Sequence, residues 1–393
     1  MKILIINELY NLGGAEVFAL GEKELLETEN EVLYLTLDSN YSNEWKADKN
    51  HLNYKPAYKT CFKKLYHIIP RKYIVEDLKK IIESFSPDYI HLNCLDDYAL
   101  EVYSAVRGYE VFQTIHDHYA VCPKGVCIYS DLSPCSGYSF SKCFKNCFLC
   151  ASKASFLREF VKWYFKRVYC LHSVKNFICP SRFLSKKCIE QKMNVKCINN
   201  PFDTFLLPKS IGVKNVSKKS YLFYGVISER KGIIPLLAAF VSFAENKDVE
   251  LLIAGKFING MEDTIKPYLD IEKIKYLGIF SHEEMMNQLA QADVVVVPSV
   301  GMDNYPYVVL EAICAKCLVI ASDRGGMAEI INDERLIFDV SSKADIIQKL
   351  EYTFSMSNEE KKKIIEKSYD YVCKNNHPKI YLKNLYEFIQ SMK

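Results

Sequence analysis

Residues 293–331 read DVVVVPSVGMDNYPYVVLEAICAKCLVIASDRGGMAEII, and their pattern indicates the fold class most clearly. Residues 294–297 form an apolar β-branched run that is typical of a parallel strand buried on both faces. A polar loop follows, and we expect a helix to open near Pro306, because the N–H that proline lacks is unpaired at a first helical position anyway. Residues 318–321 predict the next strand, and Gly325 and Gly326 predict the turn after it.

Two carboxylates fall where such a strand–loop–helix unit would bind a ligand. Asp303 follows the carboxyl end of the strand, and Glu311 lies in the first turns of the helix. Ligands of open α/β sheets bind at that edge, and the amino terminus of a helix favours a diphosphate. An acidic pair near a helix start can also simply cap the helix and complement its dipole.

This segment resembles the nucleotide-sugar signature of the retaining glycosyltransferases of family 4 (glycosyl transferases group 1), which have the GT-B fold. Family members carry two acidic residues eight positions apart, and here the pair is Asp303 and Glu311, with Asp where the family usually has Glu. The resemblance implies that Glu311 binds ribose hydroxyls, that Asp303 binds hydroxyls of the transferred sugar, and that backbone N–H groups hold phosphate. The donor-binding residues implied in this segment are Asp303, Asn304, Tyr307, Val308, Val309 and Glu311.

Length and composition bound the class of protein. A chain of 393 residues is too long for one ordinary core and predicts two domains. Its 49% hydrophobic and 25% charged residues are typical of a folded globular protein. No apolar stretch reaches the roughly 18–20 residues that span a bilayer, and Glu8 in the first apolar segment argues against a signal peptide. Most of the 15 cysteines stand singly in apolar segments, as Cys179, Cys314 and Cys317 do, which predicts a reducing cytoplasm.

The basic charge is concentrated in one region. The whole chain has a net charge of +3, but residues 151–200 hold 11 basic and 2 acidic residues, a local excess of +9. Within them, residues 152–169 alternate aromatic residues at helical spacing with basic ones such as Lys162, Lys166 and Arg167. Basic amphipathic helices of this kind lie in membrane interfaces, so an anionic membrane surface is one predicted partner. The alternative is a first-domain helix whose aromatic face is core. Nucleic acid is not an expected partner, because no nucleic-acid-binding module is recognisable.

Both halves of the chain alternate strand-like and helix-like segments, which predicts βαβ units and two parallel sheets. Residues 198–219, rich in Pro, Asn and Lys, are typical of a connection between domains. Together with the resemblance, this predicts an α/β fold class: GT-B, two Rossmann-like parallel-sheet domains that face a deep cleft. We expect an acceptor domain at residues 1–200, on which a C-terminal helix at 375–393 packs back, and a donor domain at 201–374.

Two loops resemble the glycine loops of the family. In NLGGAE (11–16), Gly13 and Gly14 let backbone N–H groups approach a ligand, although a Gly pair alone is more often a tight turn and the G-x-G-x-x-G fingerprint is absent. In FYGVISERKG (223–232), Gly225 and Lys231 match the phosphate-grasping loop, where Lys231 would neutralise charge on the departing nucleoside diphosphate. Val226 occupies the position of the family's Arg. The candidate donor-binding residues here are Gly13, Gly14, Gly225, Arg230 and Lys231.

Histidines and cysteines supply the remaining candidates. In TIHDHY (114–119), His116 resembles the histidine that approaches the reacting sugar, although a structural histidine is the alternative, and His91 is expected to be a core residue. Six cysteines crowd into residues 122–150, but only Cys147 and Cys150 have the C-x2-C spacing of a zinc knuckle. A structural zinc ion and an unligated thiol cluster are both compatible with this pattern. The family needs no metal for catalysis, so neither a catalytic metal nor a cofactor is expected.

The resemblance implies a hexosyltransferase-class enzyme that moves a sugar, with retention, from a nucleoside-diphosphate sugar to a hydroxyl acceptor. The expected acceptor is a glycan, in particular a lipid-linked glycan in the synthesis of cell envelope, capsule or other surface polysaccharide. The implied catalytic residues are His116, Lys231 and Asp303. Two alternatives are a noncatalytic GT-B nucleotide-binding partner and a GT-B sugar-nucleotide epimerase. We expect the protein in the cytoplasm, peripheral on the inner face of the membrane.

Overall fold

The computed structural model describes residues 1–9, 13–37, 50–56, 68–129, 131, 133–148, 153–202 and 218–392. The chain divides into two compact units: unit 1 is Met1–Pro201 with Tyr381–Lys393, and unit 2 is Phe202–Ile380. Several positions discussed above lie outside the described ranges, namely most of the 198–219 connection, Asn11 in the first glycine loop, and Cys150.

Unit 1 alternates strands and helices along the chain. Its strands are β1 (Lys2–Asn7), β2 (Glu31–Thr36), β3 (His51–Asn53), β4 (Tyr89–Leu92), β5 (Val111–Thr114), β6 (Asn176–Cys179) and β7 (Val195–Cys197). Its helices before the division are α1 (Gly14–Glu27), α2 (Lys72–Phe85), α3 (Ala99–Ala105), α4 (Phe140–Cys143), α5 (Lys153–Ser173) and α6 (Arg182–Glu190).

These strands form one parallel sheet in the order β3-β2-β1-β4-β5-β6-β7. The inner strands β1 and β4 are buried almost throughout, as expected of a sheet that helices cover on both faces. Helix α2 shows how the cover is made, because Ile74, Leu78 and Ile82 recur at intervals of four and form its buried stripe. The strand order reverses between β1 and β4, and open α/β sheets bind ligands at the carboxyl edge of such a reversal.

Unit 2 repeats this alternation. Its strands are β8 (Lys219–Tyr224), β9 (Val249–Ala254), β10 (Ile274–Gly278), β11 (Val294–Val297), β12 (Leu318–Ser322) and β13 (Ile337–Phe338). Its helices are α7 (Ile233–Phe243), α8 (Met261–Leu269), α9 (His282–Gln291), α10 (Tyr307–Cys314), α11 (Met327–Ile331), α12 (Lys343–Ser355) and α13 (Asn358–Asn376). The last helix, α14 (Pro378–Ser391), belongs to unit 1 from Tyr381 onwards.

The second sheet is also parallel and has the equivalent order β10-β9-β8-β11-β12-β13, which reverses between β8 and β11. All four residues of β11 are buried, so the strand predicted from its β-branched run is confirmed. The predicted α/β class with two parallel sheets is confirmed as well. One boundary differs, because Pro306 adopts an extended conformation and caps α10 instead of opening it.

Helix α14 returns the end of the chain to unit 1. Its Tyr381 packs edge-on against Phe18 of α1 with ring centroids 5.9 Å apart, and the Tyr381 hydroxyl donates to the Glu22 carboxylate. Further along, Phe388 packs against Phe112 of β5 at 5.6 Å. Residues far apart in sequence therefore share one core in unit 1.

Helix α5 does not present its basic residues as an outward stripe. Lys162 Nζ lies 2.9 Å from an Asp96 carboxylate oxygen, and Lys166 and Arg167 donate to backbone carbonyls of unit 1. The prediction that these three cations face a membrane is therefore wrong, because each of them contacts a polar group of unit 1 instead.

The aromatic residues of α5 divide between two faces. Phe156 and Trp163 are buried, as expected of a core helix, whereas Tyr164 is 50% exposed. The exposed side chains lie at helical spacing and are mostly apolar: Leu157, Tyr164, Val168 and Leu171. Helical periodicity alone did not separate the buried aromatic face from this exposed one. No helix within the described ranges is long and apolar enough to cross a membrane.

Candidate functional site

A charged contact joins Lys231 and Asp303 at the β8/β11 edge of unit 2. Lys231 Nζ lies 2.9 Å from both carboxylate oxygens of Asp303, and Ser299 Oγ donates to Asp303 Oδ2 at 2.5 Å. The Asp303 side chain is 20% exposed and that of Lys231 37%, so a ligand can reach the pair from solvent. Two of the three predicted catalytic residues are thus in direct contact.

Backbone contacts between two loops hold this pair in place. The Arg230 carbonyl accepts the N–H groups of Val300 at 3.0 Å and Gly301 at 2.9 Å, which ties the loop after β8 to the loop after β11. Gly232 allows the close approach, since it has a φ of 75° and a Cβ there would lie 1.7 Å from the Pro298 carbonyl oxygen. Any side chain at this position would force the two loops apart.

The Gly-Gly turn after β12 fixes the backbone of Asp303. Gly326 N–H donates to the Asp303 carbonyl at 2.8 Å. At Gly325, φ is 77° and a Cβ would lie 2.0 Å from the same oxygen. The turn predicted at these glycines therefore also supports the acidic residue, and the close backbone approach explains why Gly325 lacks a side chain.

Glu311 lies on α10 with 18% of its side chain exposed. The Tyr224 hydroxyl lies 3.0 Å from Glu311 Oε2 and 2.6 Å from the Val308 carbonyl, and its single proton serves one of these acceptors at a time. His282 Nδ1 lies 3.9 Å from the other carboxylate oxygen. Burial raises the pKa of Glu311 above its ordinary value, against the opposing effects of Tyr224 and His282.

The amino end of α10 lies between these two carboxylates in sequence. Pro306 caps it in an extended conformation without a side-chain cap, and Val309 N–H bonds back to the Pro306 carbonyl at 3.2 Å. The predicted phosphate-binding backbone at Tyr307, Val308 and Val309 therefore forms the first helical turn. Asn304, also predicted to contact the donor, is buried just before it.

The loop after β8 brings Gly225 to the same helix. A Cβ on Gly225 would lie 3.9 Å from Val308 Cγ1, and Gly225 has a φ of 118°. Val226, which replaces the family's Arg, is 44% exposed. Arg230, on the same loop as Val226, is exposed and therefore supplies a cation there. Its Nε lies close to Gly301, 3.4 Å from the position that a Cβ on that glycine would take.

In unit 1, His116 follows β5. Its Nε2 lies 2.9 Å from Asn93 Oδ1, and its ring packs against Phe18 with centroids 4.7 Å apart. Because an amide oxygen only accepts, this contact places the proton on Nε2. Desolvation, with a smaller effect of His91, lowers the pKa of His116 to about 3, so the imidazole is neutral at physiological pH. His91 itself is fully buried, which confirms it as a core residue.

The first glycine loop ends at the start of α1. Gly13 caps the helix in an extended conformation and Gly14 is its first residue. The Glu16 carboxylate turns back to accept the backbone N–H groups of Gly13 and Glu16, and burial raises its pKa. A carboxylate of the chain itself thus lies at the helix terminus where the sequence suggested a diphosphate. The prediction that Gly13, Gly14 and His116 of unit 1 face the unit 2 residues across one cleft stays a prediction.

Residues 209–371, which include Lys231, Asp303 and Glu311, match the family model of the glycosyl transferases group 1. Unit 2 carries a glycosyl transferases group 1 domain. An uncharacterized glycosyltransferase of Methanocaldococcus jannaschii is 31% identical over 163 residues, which are 41% of this chain and 38% of that protein. A phosphatidyl-myo-inositol mannosyltransferase of Mycobacterium leprae is 29% identical over 146 residues, 33% of this chain and 38% of that protein. The matched region thus spans well under half the length of these two relatives.

Longer matches extend beyond the group 1 domain. An uncharacterized 42.6 kDa protein in the cps region of Klebsiella pneumoniae is 23% identical, with 92% of this chain and 95% of that protein covered. The sucrose-phosphate synthase of Thermosynechococcus elongatus superposes with a TM-score of 0.75 at 16% identity, and Anabaena HepE in complex with UDP and glucose with 0.70 at 15%; both cover 100% of each chain. The fold is GT-B.

Three side chains next to the predicted site residues were missed from sequence. Ser299 follows the buried strand β11 at the edge that carries Asp303, and its position at that edge was a usable signal. Tyr224 is the last residue of β8. Its contact with Glu311 arises from tertiary packing alone, so no sequence signal could have found it. Asn93 stands just after β4, again at the carboxyl edge of a sheet.

The described cysteines of the 122–150 segment are buried free thiols, at 122, 127, 135, 143 and 147. A hydrogen bond from the Cys127 thiol, with further ones from backbone N–H groups, lowers the pKa of Cys122 to about 5. Within the described residues, no three His, Cys, Asp or Glu side chains lie together as a metal ion requires.

Proposed function

We propose that this protein is a retaining glycosyltransferase that moves a sugar from a nucleoside-diphosphate sugar to a hydroxyl of a lipid-linked glycan. The observation that carries the proposal is the contact between Lys231 and Asp303 at the strand-order reversal of the group 1 domain, with Glu311 on the helix that follows. A cation, two carboxylates and a helix amino terminus on one sheet edge provide complementary groups for diphosphate, sugar and ribose.

The donor would rearrange the charged pair. A diphosphate competes with Asp303 for the Lys231 ammonium, and release of the Asp303 carboxylate then makes it available to hydroxyls of the transferred sugar. Lys231 would act most strongly as the bond to the sugar breaks, because negative charge on the leaving diphosphate is greatest there. Arg230 would supply a second, weaker positive charge in place of the Arg that Val226 replaces.

Glu311 would accept hydrogen bonds from the ribose hydroxyls. The Tyr224 hydroxyl, which lies 3.0 Å from Glu311 Oε2, helps to position this carboxylate. The backbone N–H groups at the start of α10, near Tyr307, Val308 and Val309, would hold phosphate oxygens, and the dipole of α10 adds to this attraction.

For catalysis we favour attack by the acceptor hydroxyl on the face of the transferred sugar from which the nucleoside diphosphate departs. The sequence offers no obvious side-chain nucleophile for a double displacement, and the leaving phosphate can take the acceptor's proton. His116 would contribute hydrogen bonding without charge, because its pKa of about 3 keeps it neutral.

A membrane-borne acceptor is supported by the surface of α5 and by the relatives. The exposed residues Leu157, Val168 and Leu171 make an apolar stripe on a helix within a region that carries a charge excess of +9. One relative is named a phosphatidyl-myo-inositol mannosyltransferase, and another is named as a protein in a cps region. We propose that this stripe rests on the inner leaflet while the enzyme remains peripheral.

The stereochemistry of the product tests the mechanism. The purified chain is incubated with an α-configured nucleoside-diphosphate sugar and its acceptor, and the anomeric proton of the new linkage is followed by NMR from the start of the reaction. The proposal predicts an α-linked product. A β-linked first product would contradict retention while leaving glycosyl transfer itself intact.

A further inference from the structure

Unit 1 contains a pocket that the proposed donor site does not use. It lies beside His116, at the ends of β4 and β5 and against α5, and forms a cavity of about 60 Å³ that opens to solvent. Its lining includes Asn93, Cys94, Tyr119, Lys166 and Arg167. Two positive charges thus stand on one wall of a cavity.

Lys166 is held by neutral groups of unit 1. Its ammonium donates to the Leu95 carbonyl and lies 4.6 Å from the centre of the Tyr119 ring. Among the described residues, no carboxylate forms an ion pair with it. Within the described residues, its positive charge is therefore balanced by a carbonyl dipole and an aromatic face.

Arg167, the next residue, has the same character. Its guanidinium donates to the Ala120 and Gln191 carbonyls, the second at 3.4 Å, and lies 5.6 Å from the Trp163 ring. Within the described part of the chain it likewise has no carboxylate partner. Desolvation lowers the pKa of Arg167, as expected of a half-buried cation without a counter-charge.

Lys162 shows what a balanced cation on this helix looks like. It lies about one turn before Lys166, and its ammonium is 2.9 Å from Asp96 and 3.5 Å from Asp97. Asp117 is the acidic residue on the pocket wall, and its carboxylate accepts the Tyr119 N–H at 2.8 Å. Against Lys166 and Arg167, Asp117 leaves one positive charge in excess.

We propose that the pocket holds an oxyanion of the acceptor, a phosphate or a carboxylate, between Lys166 and Arg167. Naming the acceptor as its source rests on the proposed function, whereas the binding of an oxyanion rests on the pocket alone. A partly buried cation is costly unless it is paired, and an ammonium and a guanidinium on one wall suit an anion with several oxygens. The anion would hold the acceptor beside His116.

Calorimetric titration of the full chain with inorganic phosphate tests the site. Saturating nucleoside diphosphate keeps phosphate out of the donor site, and ionic strength is held constant with chloride. We expect phosphate to bind, and we expect Lys166→Met to weaken that binding about tenfold or more. The matched control on the same helix, Lys162→Met, should leave it unchanged. Arg167→Gln provides a second variant, and thermal denaturation confirms that each variant is folded.

The outcomes separate the possibilities. Acetate bound as tightly as phosphate indicates a carboxylate-bearing acceptor, and a preference for phosphate indicates a phosphorylated one. The inference is overturned if neither ion binds more tightly than chloride, or if the Lys166→Met and Lys162→Met variants bind phosphate equally. If the wild type fails to bind nucleoside diphosphate, the proposed function fails instead, and the phosphate titration still tests the pocket.

Discussion

Lys231 and Asp303 neutralise each other, with the Lys231 ammonium 2.9 Å from both oxygens of the Asp303 carboxylate. The two residues are 72 positions apart in sequence and follow neighbouring strands, β8 and β11. Because one group is proposed to bind phosphate and the other sugar, their contact couples the two halves of the donor. A ligand that takes one of them must release the other.

Replacing Lys231 should reduce turnover more than donor binding. The ammonium is proposed to stabilise charge that appears on the leaving group, so Lys231→Ala removes an interaction that is strongest in the transition state. We expect turnover to fall by about tenfold to a hundredfold, because that is the usual effect of losing a hydrogen bond to a charged group. Arg230→Ala, its exposed neighbour, should show a smaller loss. Steady-state kinetics measure both, and an unchanged turnover number for Lys231→Ala would refute the role.

Replacing Asp303 should separate nucleotide binding from transfer. Asp303→Asn removes the partner that holds Lys231, so affinity for the nucleoside diphosphate should be maintained or should rise, while sugar transfer falls. Ser299→Ala, which removes the hydroxyl bonded to Asp303 at 2.5 Å, should have a weaker effect in the same direction. Calorimetry and a transfer assay on the same preparations measure the two quantities. Loss of nucleoside diphosphate affinity in Asp303→Asn would contradict the division of roles.

Donor affinity should depend on pH through Glu311. Burial raises its pKa, so the carboxylate takes up a proton at a higher pH than an exposed glutamate would. The protonated group is a poorer acceptor for ribose hydroxyls, and affinity should therefore fall as pH is lowered through this raised pKa. Glu311→Gln should bind more weakly at neutral pH and lack this step. Calorimetric titrations with nucleoside diphosphate over about pH 4–7 provide the comparison, and identical pH profiles would exclude the assignment.

His116 should make unit 1 less stable in acid. Its pKa is lowered from 6.5 to about 3 in the folded protein, so below pH 6.5 the unfolded chain binds a proton that the folded chain does not. Stability should therefore be complete above pH 6.5 and decrease by up to about 1.4 kcal/mol per pH unit below it. Urea unfolding at several pH values should show a shallower dependence for His116→Gln. His172→Gln, an exposed histidine of α5, is the control.

The apolar stripe of α5 should mediate binding to anionic vesicles. Leu157 and Val168 are 55% and 43% exposed, so replacing both with Glu should abolish vesicle binding and leave nucleotide affinity intact. Lys196→Glu, on the exposed side of β7, changes the net charge by the same amount and should weaken binding only slightly. Sedimentation with anionic vesicles at low salt measures the binding of the wild type and of both variants. Equal binding by both variants would mean that α5 is not the contact.

The fold was largely predictable because inner strands such as β1 and β11 are buried apolar runs. The buried β-branched run of β11 and the alternation around it indicated parallel sheets directly, and Gly232 and Gly325 stood where the backbone approach required them. Short strands such as β3 and β7 were not predicted, because a segment of three residues is too short to show an alternation of apolar and polar residues.

The contacts among the candidate site residues were not predictable from sequence. Resemblance identified Lys231 and Asp303, but nothing in their spacing indicated that they pair. The basic residues of α5 were misplaced for a physical reason. Lys166 and Arg167 have long side chains that can reach inward from a half-buried helix, and their carbonyl partners, Leu95 and Ala120, lie 71 and 47 positions away in sequence.

Nucleotide release from a panel of nucleoside-diphosphate sugars, measured with and without a lipid-linked glycan fraction, is the decisive measurement for the proposed glycosyl transfer. Mass spectrometry of the same reactions identifies the product. We expect release that depends on the acceptor, and a glycan heavier by one sugar. Release that is independent of the acceptor would indicate an epimerase, and binding of nucleotide without any release across the panel would indicate a noncatalytic partner. Either result would contradict the proposed transfer.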